Sequence, residues 1–192
     1  MRFPMVKLPA VVALVLVGAL GATGGASAAT LAWNTPTIYQ EFSSGTSKIF
    51  ISLSCSSMGN CVGVGEASDP SSTEPVIAVE SNGTWGATVS PVLPSDHSTT
   101  AGTPVLGSVS CSSASSCEAV GYYETTGSVD AAMVVPITVS GATVTSDTAA
   151  ELPLPSGATN AWLNGVSCNS TGCTAVGYTD LGPLVATNAG GN

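Results

Sequence analysis

Three segments of this chain carry the same cysteine-centred pattern at a fixed interval, and that interval constrains the fold more than any other feature. The first is Ile51-Ser52-Leu53-Ser54-Cys55 followed by Cys61-Val62-Gly63-Val64-Gly65. The second is Ser108-Val109-Ser110-Cys111 followed by Cys117-Glu118-Ala119-Val120-Gly121-Tyr122. The third is Gly165-Val166-Ser167-Cys168 followed by Cys173-Thr174-Ala175-Val176-Gly177-Tyr178. Cys61, Cys117 and Cys173 stand 56 residues apart, and Gly65, Gly121 and Gly177 keep the same interval. A fixed period of this kind marks a repeat architecture, in which each unit buries its apolar face against its neighbour.

Within each unit the residues before the first cysteine alternate small polar with apolar. Val109 and Cys111 face one way and Ser108 and Ser110 the other, the pattern of a half-buried strand. Turn-forming stretches such as Ser56-Ser57-Met58-Gly59-Asn60 and Asn169-Ser170-Thr171-Gly172 separate the two cysteines, so each unit is expected to contain a hairpin with cysteines at its shoulders. An apolar run follows each hairpin, at Pro75 to Val79, Met133 to Val139 and Pro183 to Ala186. A fourth short strand is read around Trp33 and Ile38, at Trp85 to Val89 and at Ala142 to Thr145. The expectation is an all-β chain of three four-stranded units, at about 29–83, 84–141 and 142–192, forming one domain over 29–192.

Residues 1–28 read as a secretory signal peptide: Arg2 and Lys7 start it, an apolar run extends from Ala10 to Leu20, and Ala26-Ser27-Ala28 precedes the expected cut. The apolar run is far shorter than the roughly 20 residues a membrane-crossing helix needs. Residue 29 is Ala, not the Cys that would carry a lipid anchor. The expected location is therefore extracellular or cell-surface. Loss of the leader leaves Lys48 as the only lysine or arginine, against all 12 acidic residues. So acidic a chain has almost no means of neutralising phosphates, which argues against nucleic acid and anionic membranes as partners.

In an exported chain, six cysteines paired locally are most economically three disulfides. Fifteen pairings exist in principle, and the repeat selects Cys55 with Cys61, Cys111 with Cys117, and Cys168 with Cys173. Structural zinc favours closer cysteine spacings, and the single His97 lies outside the repeated motif, so no metal is expected. A redox-active pair would have two intervening residues, a spacing absent here. No cofactor motif is present.

The repeated core, as it stands in Ser108 to Tyr122 and Val166 to Tyr178, resembles the cysteine-bearing repeats of secreted bacterial β-propeller-like proteins, one repeat per presumed blade. The resemblance runs unit by unit over nearly the whole mature chain and implies four-stranded blades around an axis; it implies no activity. Propellers close with about four or more blades, and three units fall short. Two chains pairing as a homodimer would supply six blades; an incomplete relic of a longer array and a β-trefoil are the alternatives.

Three functions follow as expectations. The first is a non-catalytic binding module for an extracellular glycan or protein, with Trp33, Trp85, Trp162, Tyr122, Tyr123 and Tyr178 as candidate contacts. Of these, Trp85 and Tyr178 occupy repeat positions that suit packing, whereas Tyr123 and Trp162 fall near loops. The second is a hydrolase of extracellular polymers. Asp96-His97-Ser98 contains triad residue types, but triads are assembled from distant segments, and no Gly-x-Ser-x-Gly elbow is present. Glu66, Glu118 and Asp180 are the conceivable carboxylates, with no catalytic residue assigned. The third is a structural protein that self-associates through exposed strand edges.

Overall fold

A computed structural model describes residue 35, residues 47–100 and residues 102–189. The leader and the strand expected near Trp33 and Ile38 lie outside the described residues. Every regular element among the described residues is a β-strand, and none is a helix long and apolar enough to cross a membrane.

The described residues form twelve strands in three antiparallel sheets, each from one continuous stretch of chain. Sheet I contains β1 (Ser47–Ser57), β2 (Asn60–Ser68), β3 (Thr73–Ser81) and β4 (Thr84–Trp85) in sequential order. Sheet II contains β5 (Val105–Cys111), β6 (Ser116–Glu124), β7 (Asp130–Ser140) and β8 (Thr143–Ser146), with β9 (Ala150–Glu151) also paired to β7. Sheet III contains β10 (Ala161–Asn169), β11 (Gly172–Thr179) and β12 (Gly182–Ala189). No strand pairs across sheets, and the described strands close no barrel of the kind a β-trefoil is built on.

The sheets are cut differently from the units drawn on periodicity. Thr84-Trp85 and Thr143–Ser146 pair with the strands before them, β3 and β7, and so complete sheets I and II instead of opening the next unit. Tight turns cause this. Asn82 and Gly83 have φ of 51° and 78°, the left-handed pair that a two-residue hairpin needs to match strand twist. Sheet III has three described strands, and sheet II has the additional β9.

Each cysteine pair is a direct cross-strand neighbour: Cys55 faces Cys61, Cys111 faces Cys117 and Cys168 faces Cys173, and all three pairs are disulfide-bonded. A second repeated device lies on the same hairpins. The register slips by one residue between Phe50 and Ser52, between Leu106 and Ser108, and between Leu163 and Gly165. These are equivalent β-bulges, which bend and twist the inner strand. Opposite each sits the periodic glycine. A Cβ on Gly65, Gly121 or Gly177 would collide with the carbonyl oxygen of Ile49, Val105 or Trp162 respectively. The 56-residue glycine interval thus records a close backbone approach made three times.

The sheets stack face against face through their first strands, with β5 contacting β1 on one side and β10 on the other. Between sheets I and II lie Val62, Val64, Ile77 and Val79 against Val109, Ala119, Met133, Val135 and Ile137. Between sheets II and III lie Val120 and Ala132 against Ala161, Leu163, Ala175 and Leu184. Alternation explains the assignment, since side chains two apart on a strand share a face and those between them serve the other interface. Sheet II is therefore apolar on both faces.

Candidate interaction surface

The serines that alternate with these apolar residues have a defined role. Val109 N–H donates to Ser52 Oγ at 3.2 Å and Cys111 N–H to Ser54 Oγ at 3.0 Å. One sheet further on, Val166 N–H donates to Ser108 Oγ at 3.1 Å and Cys168 N–H to Ser110 Oγ at 2.8 Å. The first strand of a sheet is an edge, and its outward N–H groups lack a strand partner. The Ser-x-Ser pair of the preceding sheet supplies the acceptors, so each hydroxyl satisfies a backbone group that would otherwise be buried and unpaired.

The outer faces of the stack continue this pattern without a neighbouring sheet among the described residues. Val64 and Val120, at the same repeat position and facing the next sheet, are both 0% exposed, whereas their equivalent Val176 is 49% exposed. Val185, which pairs with Val176 on the same face, is also exposed, and Tyr178 beside them is open to solvent. Trp162 stacks on Tyr178 with ring centroids 4.7 Å apart, and its indole N–H donates to Asp130 Oδ2 at 3.1 Å. At the opposite end of the stack, Leu53 is 57% exposed where its equivalent Val109 is 5% exposed. An aromatic pair flanked by exposed aliphatic side chains is suited to docking an apolar or planar surface.

The aromatic positions therefore fall out differently from the sequence expectation. Tyr123 is fully buried, and its phenol bridges the Asp96 and Glu151 carboxylates at 3.1 Å each, tying the 86–104 connection and β9 to β6. Burial first, and then these two carboxylates, push its ionisation far above the usual phenol range. Tyr178, placed by its repeat position in a packing role, is the exposed member of the pair. Trp85 stacks on Phe50 at 5.7 Å, Tyr122 is half-buried, and Trp33 lies outside the described residues. Loop proximity was the misleading signal for Tyr123, because two other segments, the 86–104 connection and β9, fold over it.

A polar cleft of about 510 Å³ lies beside sheet I, lined among others by Asp69, Glu74, His97 and Thr99. Its polar groups have local partners. Asp69 accepts from the Ser71 hydroxyl and then from the N–H groups of Ser71 and Ser72, which hold its carboxyl below the usual range. Glu74 accepts from Ser90 Oγ at 3.1 Å. His97 Nδ1 lies 2.8 Å from the Pro94 carbonyl, while Asp96 is engaged by Tyr123, so the Asp96-His97-Ser98 neighbours do not converge as a triad. Among the described residues no group of three His, Cys, Asp or Glu side chains is placed to hold a metal ion.

The three carboxylates singled out in sequence sit on separate sheets. Glu66 lies on β2, two residues before its end, and is half-buried. Glu118 stands in the gap between sheets II and III, beside Val134, Cys173 and Ala175, and desolvation raises its pKa. Asp180 anchors the β11–β12 turn, accepting from Thr159 Oγ1 at 2.7 Å and from the Thr159 and Asn160 N–H groups, which lower its pKa. No protein-family model matches the chain, and no curated protein matches it.

Proposed function

We propose that this is an exported, propeller-type binding module, whose sheets are blades and whose outer blade face, formed by Trp162, Val176, Tyr178 and Val185, docks an extracellular partner. The observation that carries the reading is the exposure of Val176 at a position where the same valine is fully covered in the two preceding sheets. A side chain set in the register of a buried interface, in a face otherwise built like one, is a surface that has a complement. Export is supported by the three disulfides, which persist in oxidising compartments. A protein surface suits this face better than a glycan, since aliphatic Val176 and Val185 offer no hydrogen bonds to sugar hydroxyls.

The test is retention of extracellular proteins, a labelled second preparation of this chain among them, and of soluble polysaccharides on immobilised oxidised protein, run beside its Val176→Asp variant. A partner held by the wild type and lost by the variant is the expected result. Equal retention on both, or none on either, would overturn the assignment of this face.

A further inference from the structure

The stack is directional, and its two ends are complementary halves of one interface. Toward the next sheet a unit presents serine hydroxyls, two in sheets I and II and one in sheet III, and a valine; toward the preceding sheet it presents an apolar residue, a cysteine and their two backbone N–H groups. Both halves meet twice within the chain, at the junction of sheets I and II and at that of sheets II and III. Sheet III then presents the first half to solvent through exposed Ser167, Val176 and Val185. Sheet I presents the second half through Leu53 and Cys55, whose N–H groups meet no hydroxyl among the described residues.

From this we infer that the partner of the sheet III face is sheet I of a second copy of the chain, joined head to tail. The inference rests on the reading of that face as a docking surface. In this junction Ser167 Oγ accepts from the Cys55 N–H of the second copy, as Ser54 accepts from Cys111 and Ser110 from Cys168. Val176 covers Leu53 as Val64 and Val120 cover the sheets that follow them. Position 165 is Gly where the other units have Ser52 and Ser108, so the junction lacks one of its two hydroxyls and is weaker than the internal ones. The number of copies follows from closure. Head-to-tail contacts end only when a ring closes, and propeller rings hold about four to eight blades. Two copies bring six sheets, whereas one copy or three copies fall outside that range.

The experiment is light scattering behind size exclusion on the oxidised exported protein over a wide concentration range, for the wild type and three variants. Twice the chain mass is expected for the wild type. Val176→Asp and Leu53→Asp, each on an exposed side chain at opposite ends, should each raise the dissociation constant at least about a hundredfold by burying a charge in the junction. Gly165→Ser should restore the missing acceptor at two junctions and tighten association about tenfold. Its Cβ would approach Val176 Cγ2 at 3.2 Å, but Ser52 and Ser108 already face valines in the same register. Near-UV circular dichroism checks that each variant keeps its native packing.

A single-chain mass at every concentration would overturn the inference. So would a dimer that survives Leu53→Asp, which would mean sheet III pairs with itself, or an open-ended distribution of masses. A monomer that still retains a different extracellular partner, lost with Val176→Asp, would sink the second copy and leave the docking face standing.

Discussion

The junction of sheets II and III and the outer face of sheet III are built on the same repeat positions in the same register, and they differ in whether another described sheet lies on top. Val120 and Val176 are equivalent valines, Ser110 and Ser167 are equivalent serines, and Glu118 and Thr174 stand at one repeat position. On the covered face Val120 is sealed and Ser110 holds the Cys168 N–H. On the bare face Val176 and Ser167 are exposed. The comparison teaches that the repeat encodes an interface as well as a sheet, because the serine hydroxyls accept from the backbone of the following sheet. Their contribution appears only when the next sheet arrives.

Aspartate substitution breaks the contrast most sharply. Val120→Asp places a carboxylate in a sealed apolar junction without a partner and should cost about 4 kcal/mol or more. Val176→Asp in dilute protein should stay within about 0.5 kcal/mol, as exposed substitutions do. Urea unfolding of the pair measures both. Nearly as large is the loss at Gly121→Ala, whose Cβ would collide with the Val105 carbonyl and force the bulged strand apart; about 3 kcal/mol is expected, read as a drop in melting temperature.

The hydroxyls give a finer comparison. Ser110→Ala strands the Cys168 N–H at a covered edge and should cost about 1–2 kcal/mol, while Ser167→Ala should leave the dilute protein unchanged. Amide exchange at Cys168 should accelerate in the first variant alone. The smallest effect is the pH dependence at Glu118. Its folded pKa is raised by desolvation, so the neutral carboxyl favours the fold: that contribution is complete below the unfolded pKa and is lost as pH rises through the folded value. Glu118→Gln should therefore raise the melting temperature at pH 7 and not at pH 3. An equal gain at both values would mean the side chain acts through packing rather than through its charge.

How much of this was legible beforehand depends on the range of the interaction. The cysteine hairpins and the apolar third strands were readable, because turn residues, alternation and pairing all act within about 25 residues of chain. The ends of the sheets were harder. Trp85 and Thr143 follow tight glycine turns that return the chain to the strand just left, yet periodicity alone assigned them forward. The serines were seen as the polar side of a half-buried strand, because alternation reports a contrast between faces without reporting what covers each face. Their acceptors' role depends on N–H groups 57 or 58 residues away. The glycine interval was visible, but its cause, a carbonyl pressed against Cα by a bulge in the partner strand, involves backbone that no composition reveals. The same blindness misjudged Tyr123, whose covering loop and carboxylates are contributed by two other segments.

The three disulfides each join a cysteine to the next one along the chain, five or six positions away. A polypeptide oxidised end-first, as it emerges, therefore forms each correct bond before the following cysteine is available to compete. Oxidised in that order, the chain would reach the native set with no wrong bond to reshuffle. On that route each hairpin would be locked before its neighbour emerges, and the sheets would meet as finished pieces.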